Sequence, residues 1–238
     1  MGLSVKWATC NIGAIKPEEY GNYFAWGETE PKEEYLTRNY PHIYYDENNY
    51  INFKDIGKDI SNSQYDAAHI KWGSNWRMST FDELSDLMFE CKWEWIENND
   101  CVGYQVIGPN GNSIFLPAAG CYENSSKNYR FDIGGYYWSS TELFWHDETV
   151  TFILEFTDEY INGDNTYRRH CGYSIRPVTV KVVYLPPMYY DEYKDMKTEE
   201  IAKLVHDRIE AKVKEQVSIK KRRPFYDKRI QQAALLNI

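Results

Sequence analysis

The chain has 238 residues, a net charge of −9 and 42% hydrophobic residues, which suits one domain of about 150–200 residues plus a remainder and a core that needs no covalent staples. Aromatic content is 16%, with 21 Tyr and 8 Trp, a composition that excludes an intrinsically disordered chain. No apolar run approaches the ~20 residues of a membrane helix, and the acidic balance argues against nucleic acid as a partner, which calls for a basic face.

Charge divides the chain unevenly. Residues 1–178 hold 14 Lys+Arg and 27 Asp+Glu, a balance of −13, whereas residues 179–238 hold 13 and 9, a balance of +4. All eight Trp precede residue 146. The sequence therefore reads as an acidic, Trp-rich domain over 1–178 and a basic, Trp-free tail over 179–238. The start, Met1–Lys6, has no apolar signal-peptide core, and Lys6 stands where a myristoylation motif needs Ser or Thr.

In chain order, Ser4–Asn11 mixes β-branched, aromatic and polar residues and reads as a strand ended by Gly13. Glu18–Asn52, rich in Tyr, Asn, Pro and Glu, has no period and reads as long loops. Asp66–His69 suits a helical turn. Thr80 and Glu83 form a capping box, and Phe81, Leu84, Leu87 and Met88 follow at helical spacing, so a short helix should run to about Cys91. Lys92–Ile96, Tyr104–Gly108 and Ser113–Pro117 read as strands, with Pro109–Asn112 as a hairpin turn. Tyr136–Ser140, Thr149–Phe156 and Tyr173–Val178 read as further strands. In the second of these, Thr151, Ile153 and Glu155 alternate with Phe152, Leu154 and Phe156, which predicts one buried face. Short strands, long loops and few helices give an α+β domain with a mostly antiparallel sheet.

The chemistry-bearing residues point away from catalysis. The five cysteines, Cys10, Cys91, Cys101, Cys121 and Cys171, are odd in number and include no CxxC, so they read as buried free thiols. A Cys91–Cys101 bridge across a hairpin is the pairing the sequence suggests. His42, His69, His146, His170 and His206 lack the spacing of a zinc-protease helix, and neither a nucleophile elbow nor a phosphate-binding loop occurs. Asn162-Gly163-Asp164-Asn165 offers oxygen ligands without the spacing of a calcium loop. No catalytic residue, metal or cofactor is expected.

Four blocks carry a family resemblance: Leu3–Asn11, Trp76-Arg77-Met78-Ser79-Thr80 with Glu83-Leu84, Tyr137-Trp138-Ser139-Ser140-Thr141, and Gly172–Val178. In order and spacing they resemble the Fibrobacter-type major paralogous domain over about residues 2–178, with Ser79 where that family usually has Pro. The resemblance implies a C-type lectin-like fold, akin to formylglycine-generating enzymes and to the variable display proteins of diversity-generating retroelements. It implies that the first and last strands pair, with Val5–Thr9 beside Ser174–Val178. Trp7, Trp76 and Trp138 then become scaffold, and the Arg176 guanidinium orders backbone carbonyls. Members of the family are usually exported, so the opening of this chain inside the first strand reads as a truncated or recombined copy, and its localisation stays open. The paired cysteines of formylglycine-generating enzymes and the Glu-Pro-Asn or Gln-Pro-Asp of calcium lectins are absent.

By the same resemblance the ligand face lies in Glu142–Cys171. The candidates are Phe144, Trp145, His146, Asp158, Tyr160, Asn162, Asn165, Tyr167 and Arg168, since interleaved aromatics, Asn and Arg suit adaptable binding surfaces. Aromatic rings stack on sugars, so a glycan or a surface protein is the expected ligand. A structural, fimbria-like surface subunit is the alternative, and an exposed strand edge would favour it.

The tail reads as a strand over Val180–Leu185, then Pro186-Pro187. A helix opens at Thr198-Glu199-Glu200 with an apolar stripe of Ile201, Leu204, Val205, Ile209 and Val213. Lys220–Pro224 is a basic stop, and Tyr226–Ile238 suits another short helix. Val183–Val213, through Leu185-Pro186-Pro187-Met188 and Met196–Ala202, resembles the C-terminal end of 1-acylglycerol-3-phosphate acyltransferases. Those enzymes need His-x4-Asp, but the residues five after each His are Glu47, Ser74, Thr151, Ile175 and Ala211. The tail is thus expected to be a fused remnant, able to self-associate through its helix.

Overall fold

A computed structural model describes residues 1–97, 101–123, 130–145, 148–163, 166–180 and 185–220. The chain divides into two compact units, Met1–Lys181 and Val182–Ile238. In the first, β1 (Val5–Trp7) is followed by a 3-10 turn (Thr37–Asn39), β2 (Ile43–Tyr45) and β3 (Ile51–Phe53). Next come α1 (Ala67–Trp72), β4 (Trp76–Arg77), α2 (Phe81–Glu90), β5 (Lys92–Glu97), β6 (Val102–Ile107) and β7 (Ser113–Pro117). The unit ends with β8 (Gly134–Trp145), β9 (Glu148–Thr157), β10 (Ile161–Asn162), β11 (Thr166–Tyr167) and β12 (Val178–Val180). The strands form several small antiparallel sheets, ordered β1-β12-β4, β5-β6-β7 and β2-β3, with β9 flanked by β8 on one side and by β10 and β11 on the other. The architecture is α+β, with mostly antiparallel strands.

The first and last strands of this unit do pair. Trp7 faces Val178 and Val5 faces Val180, two residues from the expected register. Regular strand is shorter than expected at both places: β1 stops at Trp7, and Tyr173 and Ser174 make only isolated bridges, to Phe24 and Tyr137. Arg176 explains the closure. Its guanidinium, fully buried, donates to the carbonyls of Ala8 (3.2 Å) and Phe115 (2.8 Å) and to Asn11 Oδ1 (2.9 Å). Asn11 in turn donates to the Tyr137 hydroxyl (3.3 Å), which donates to the Pro117 carbonyl (2.9 Å). One cation thus ties four separate segments together.

Both short helices start where their capping residues dictate. Asp66, fully buried, accepts from the backbone N–H groups of Asn62, Ala68, His69 and Met78, capping α1 and anchoring β4. Thr80 and Glu83 bond reciprocally at the start of α2, satisfying donors the helix leaves open. Glu83 also takes a two-pronged ion pair from Arg77, at 2.5 and 2.8 Å. Phe81, Leu84 and Leu87 bury the inner stripe, and the helix ends at Cys91 as expected.

The β8–β9 ribbon divides two hydrophobic cores. Side chains alternate across a strand, so Tyr137, Leu154 and Phe156 enter one core with Leu84, Leu87, Tyr104 and Val106. Tyr136, Trp138 and Ile153 enter the other with Phe24, Trp26, Ile60 and Tyr173. The expectation of one buried face on β9 is therefore wrong: every residue from Thr151 to Phe156 is buried, because both faces are covered. Trp138 and Trp26 lock the second core by donating their indole N–H groups to Phe24 O (2.7 Å) and Ser139 O (2.9 Å). Trp7 is buried as expected, but Trp76 is only half-buried, its ring set edge-on to Trp72.

Two further expectations are corrected. The loop reading of Glu18–Asn52 misses the β2–β3 ribbon, whose Ile43 and Phe53 pack against Tyr35 and Tyr40. The Cys91–Cys101 bridge does not form, and all five cysteines are outside disulfides. Lys92 pairs with Ile107 and Glu97 with Val102, so the two thiols sit at opposite ends of the β5–β6 hairpin. At about 3.3 Å per residue that is far beyond disulfide reach.

In the second unit, α3 (Tyr190–Tyr193) precedes α4 (Thr198–Lys220). Arg208 reaches back to Glu192 at 2.9 Å. Ile201 and Leu204 are half-buried, whereas Val205, Ile209 and Val213 are exposed. The expected helix over Tyr226–Ile238 lies outside the described residues. No helix among the described residues is long and apolar enough to cross a membrane.

Candidate ligand-binding surface

The β8–β9 ribbon has two ends. Gly134 pairs with Thr157 at one and Trp145 with Glu148 at the other, about 30 Å apart at the usual strand rise. At the Thr157 end two turns emerge side by side: residues 130–133 lead into β8, and residues 158–160 lead out of β9. Thr157 N–H donates to Tyr160 O, closing the second turn.

A buried carboxylate organises this end. Glu155 shares the face of Ile153 on β9, and its side chain is 3% exposed. Its Oε1 accepts from Tyr160 Oη (2.7 Å), Tyr136 Oη (3.1 Å) and Arg130 Nη1 (3.2 Å). Arg130 also donates to the Tyr136 hydroxyl. The partners reach outward: the Arg130 side chain is 53% exposed and Tyr160 41%. Beside them Phe131 and Ile133 are 51% and 58% exposed. Tyr20 donates to Asp132 and sets its ring edge-on to Phe131 at 4.9 Å. The result is a rim of aromatic and apolar surface whose polar members are held from beneath.

Electrostatics fixes what this cluster can do. The hydrogen bond to Glu155 raises the Tyr160 phenol above its ordinary range, with burial adding to the effect. Burial raises Tyr136 further. Both phenols therefore stay protonated at neutral pH and serve as donors and ring surfaces rather than as bases. Arg130 keeps its proton. The arrangement is suited to holding a ligand, because its anchors are fixed before a ligand arrives.

The expected site residues that are described lie at different points along the ribbon. Asp158 and Tyr160 lie at the Thr157 end, both exposed, and Asn162, half-buried on β10, pairs with Glu155. Phe144 and Trp145 occupy the opposite end of β8, paired through the backbone with Thr149 and Glu148. Tyr167 pairs with Thr151, next to Glu142, and Arg168 follows, exposed. His146 and Asn165 lie outside the described residues. The reason is topological: β10 and β11 retrace β9, so residues close in sequence are spread along the whole ribbon.

Sequence reasoning missed Arg130, Phe131, Ile133 and Glu155. One signal was present, a carboxylate in phase with the buried Ile153. It also missed the scaffold at the other end, where buried Arg169 pairs with Glu142 and lies 4.7 Å from the Trp26 ring and 5.3 Å from that of Phe53. Its Nη1 donates to Lys54 O at 3.2 Å, which ties the loop before α1 to the ribbon. On α4, His206, Asp207 and Glu210 bring ligand atoms within 4.8 Å of one another, but all three are exposed, which favours hydrated side chains over a held ion.

Comparison with protein-family models, with curated proteins and with solved structures finds no match. The family resemblance therefore rests on the four sequence blocks alone.

Proposed function

We propose that residues 1–178 are a non-catalytic ligand-binding domain of C-type lectin-like fold, and that the ligand is a glycan or another surface molecule. The observation that carries this reading is the fixed rim at the Thr157 end of the ribbon, where buried Glu155 holds exposed Tyr160 and Arg130 beside Phe131 and Ile133. Rigid aromatics with a few polar anchors are the composition of recognition surfaces. The pairing of first and last strands supports the fold assignment. The lack of His-x4-Asp and of paired cysteines supports a role other than acyl transfer or formylglycine formation. The tail is a fused remnant in this reading.

The test is a glycan-array screen of the full chain, with and without calcium, beside Tyr160→Ala. Calcium-independent hits lost in a variant that melts like the parent support the reading. Hits that survive Tyr160→Ala and a second variant, Phe131→Ala, contradict the assignment of the surface.

One observation favours a structural surface subunit instead. Among the described residues β2 and β3 pair only with each other; Tyr44, Tyr45 and Ile51 stand exposed on them, and Tyr50 in the turn between. Such a ribbon offers two unpaired edges. Sedimentation across a concentration series decides: a monomer throughout excludes assembly through that ribbon.

A further inference from the structure

We infer that the rim at the 130–133 and 158–160 turns takes a cationic segment of a partner protein, a stretch of chain presenting Arg or Lys. This deepens, and rests on, the reading of that rim as the ligand surface. The rim provides exposed rings and an apolar floor, Tyr160, Phe131 and Ile133, with Tyr20 fixed alongside. Ring faces attract cations, and most strongly when water is excluded.

Charge complementarity selects the occupant. Arg130, the cation of the rim, is already neutralised by Glu155 beneath it. Three exposed carboxylates border the same rings: Asp132, Asp158 and Glu159. Among the described residues none of the three has an ion-pair partner. Among the described residues the rim is therefore net negative, on a domain whose formal balance over 1–178 is −13. An anionic ligand would meet repulsion there, and a neutral one would gain only hydrogen bonds from the carboxylates, without the long-range attraction a cation feels. A basic segment would be drawn in over long range and then held by the rings at contact.

The experiment uses the full chain and fluorescein-labelled peptides of one length: Arg alternating with Gly and Ser, the same with Gln for Arg, and the same with Glu for Arg. Anisotropy titrations should show binding of the Arg peptide alone, weakening as salt rises. Asp158→Asn/Glu159→Gln should weaken it about tenfold, and Tyr160→Ala by a similar factor. Asp55→Asn/Asp59→Asn removes the same charge at the other end of the ribbon, where Asp59 bridges Thr141, and should change affinity less than twofold. Equal losses from the two double variants would overturn the inference by showing diffuse attraction to an acidic protein. Binding of the Gln or Glu peptide, or of an arrayed glycan, lost in Tyr160→Ala, would overturn the cationic ligand while leaving the surface assignment intact. No probe of any kind sensitive to Tyr160→Ala would overturn both.

Discussion

Arg176 is the side chain on which closure of the first unit depends. Three of its donors serve buried or part-buried acceptors, two backbone carbonyls and Asn11. Replacing it by Met removes the donors and strands the acceptors, a loss of about 3–5 kcal/mol. For a unit of this size the melting point should fall by roughly 10 °C, read by scanning calorimetry. A shift under 2 °C would show that the acceptors find other partners. His170 acts on pH dependence instead. Burial first, then nearby Arg168 and Lys32, lower its imidazole pKa to about 4, against about 6.5 in an unfolded chain. The unfolded state therefore takes up the proton first. Stability is full above pH 6.5 and is lost as pH falls from 6.5 towards 4, by at most about 3 kcal/mol from this group. Urea titrations at pH 7 and pH 4.5 should show a smaller pH-dependent loss in His170→Gln than in the parent. Identical losses would place the imidazole in water.

At the scale of elements, the β8–β9 ribbon is both wall and platform. Its fit is tight at Gly135, where an added Cβ would lie 2.1 Å from a Phe156 ring carbon. Gly135→Ala should destabilise by about 2–3 kcal/mol through overpacking. Trp138→Ala, which empties the second core and leaves the Phe24 carbonyl with only the Tyr173 N–H, should cost about 4 kcal/mol or more. Tyr160→Ala, exposed beyond the ribbon, should cost about 1 kcal/mol through the lost hydrogen bond to Glu155. Chemical denaturation of the three variants checks the ordering; a Tyr160→Ala cost near that of Trp138→Ala would make Tyr160 scaffold. Local signals read these elements well. The capping box at Thr80 fixed α2, and Pro109–Asn112 fixed the β6–β7 turn, because each depends on residues within four positions. The two-sided burial of β9 was not legible, since a strand with Thr151 and Glu155 on one face looks half-solvated until Tyr136, Arg130 and Tyr160 are folded around it. The spread of the described candidate residues along the ribbon was hidden for a related reason. Proximity in sequence over Glu142–Cys171 implied proximity in space, and the antiparallel return of β10 and β11 along β9 separates the members by the length of the ribbon.

At the scale of the whole molecule, the three core clusters lie entirely within residues 1–181. The boundary drawn from charge and Trp content falls three residues before the end of that unit. Residues 1–181 alone should melt within about 2 °C of the full chain; a drop of 5 °C or more would show that the tail contributes to the core's stability. The acidic charge of the first unit is a property of this scale too, and under the proposed function it would steer a ligand before any ring is touched. The central claim is that a fixed rim at one end of the ribbon binds while the rest supports. Its most direct measurement is binding of the full chain to one array of glycans and peptides, compared with Tyr160→Ala/Phe131→Ala of matched melting temperature. The account predicts hits on the parent that vanish in the double variant. Hits retained at full strength by that variant would contradict it.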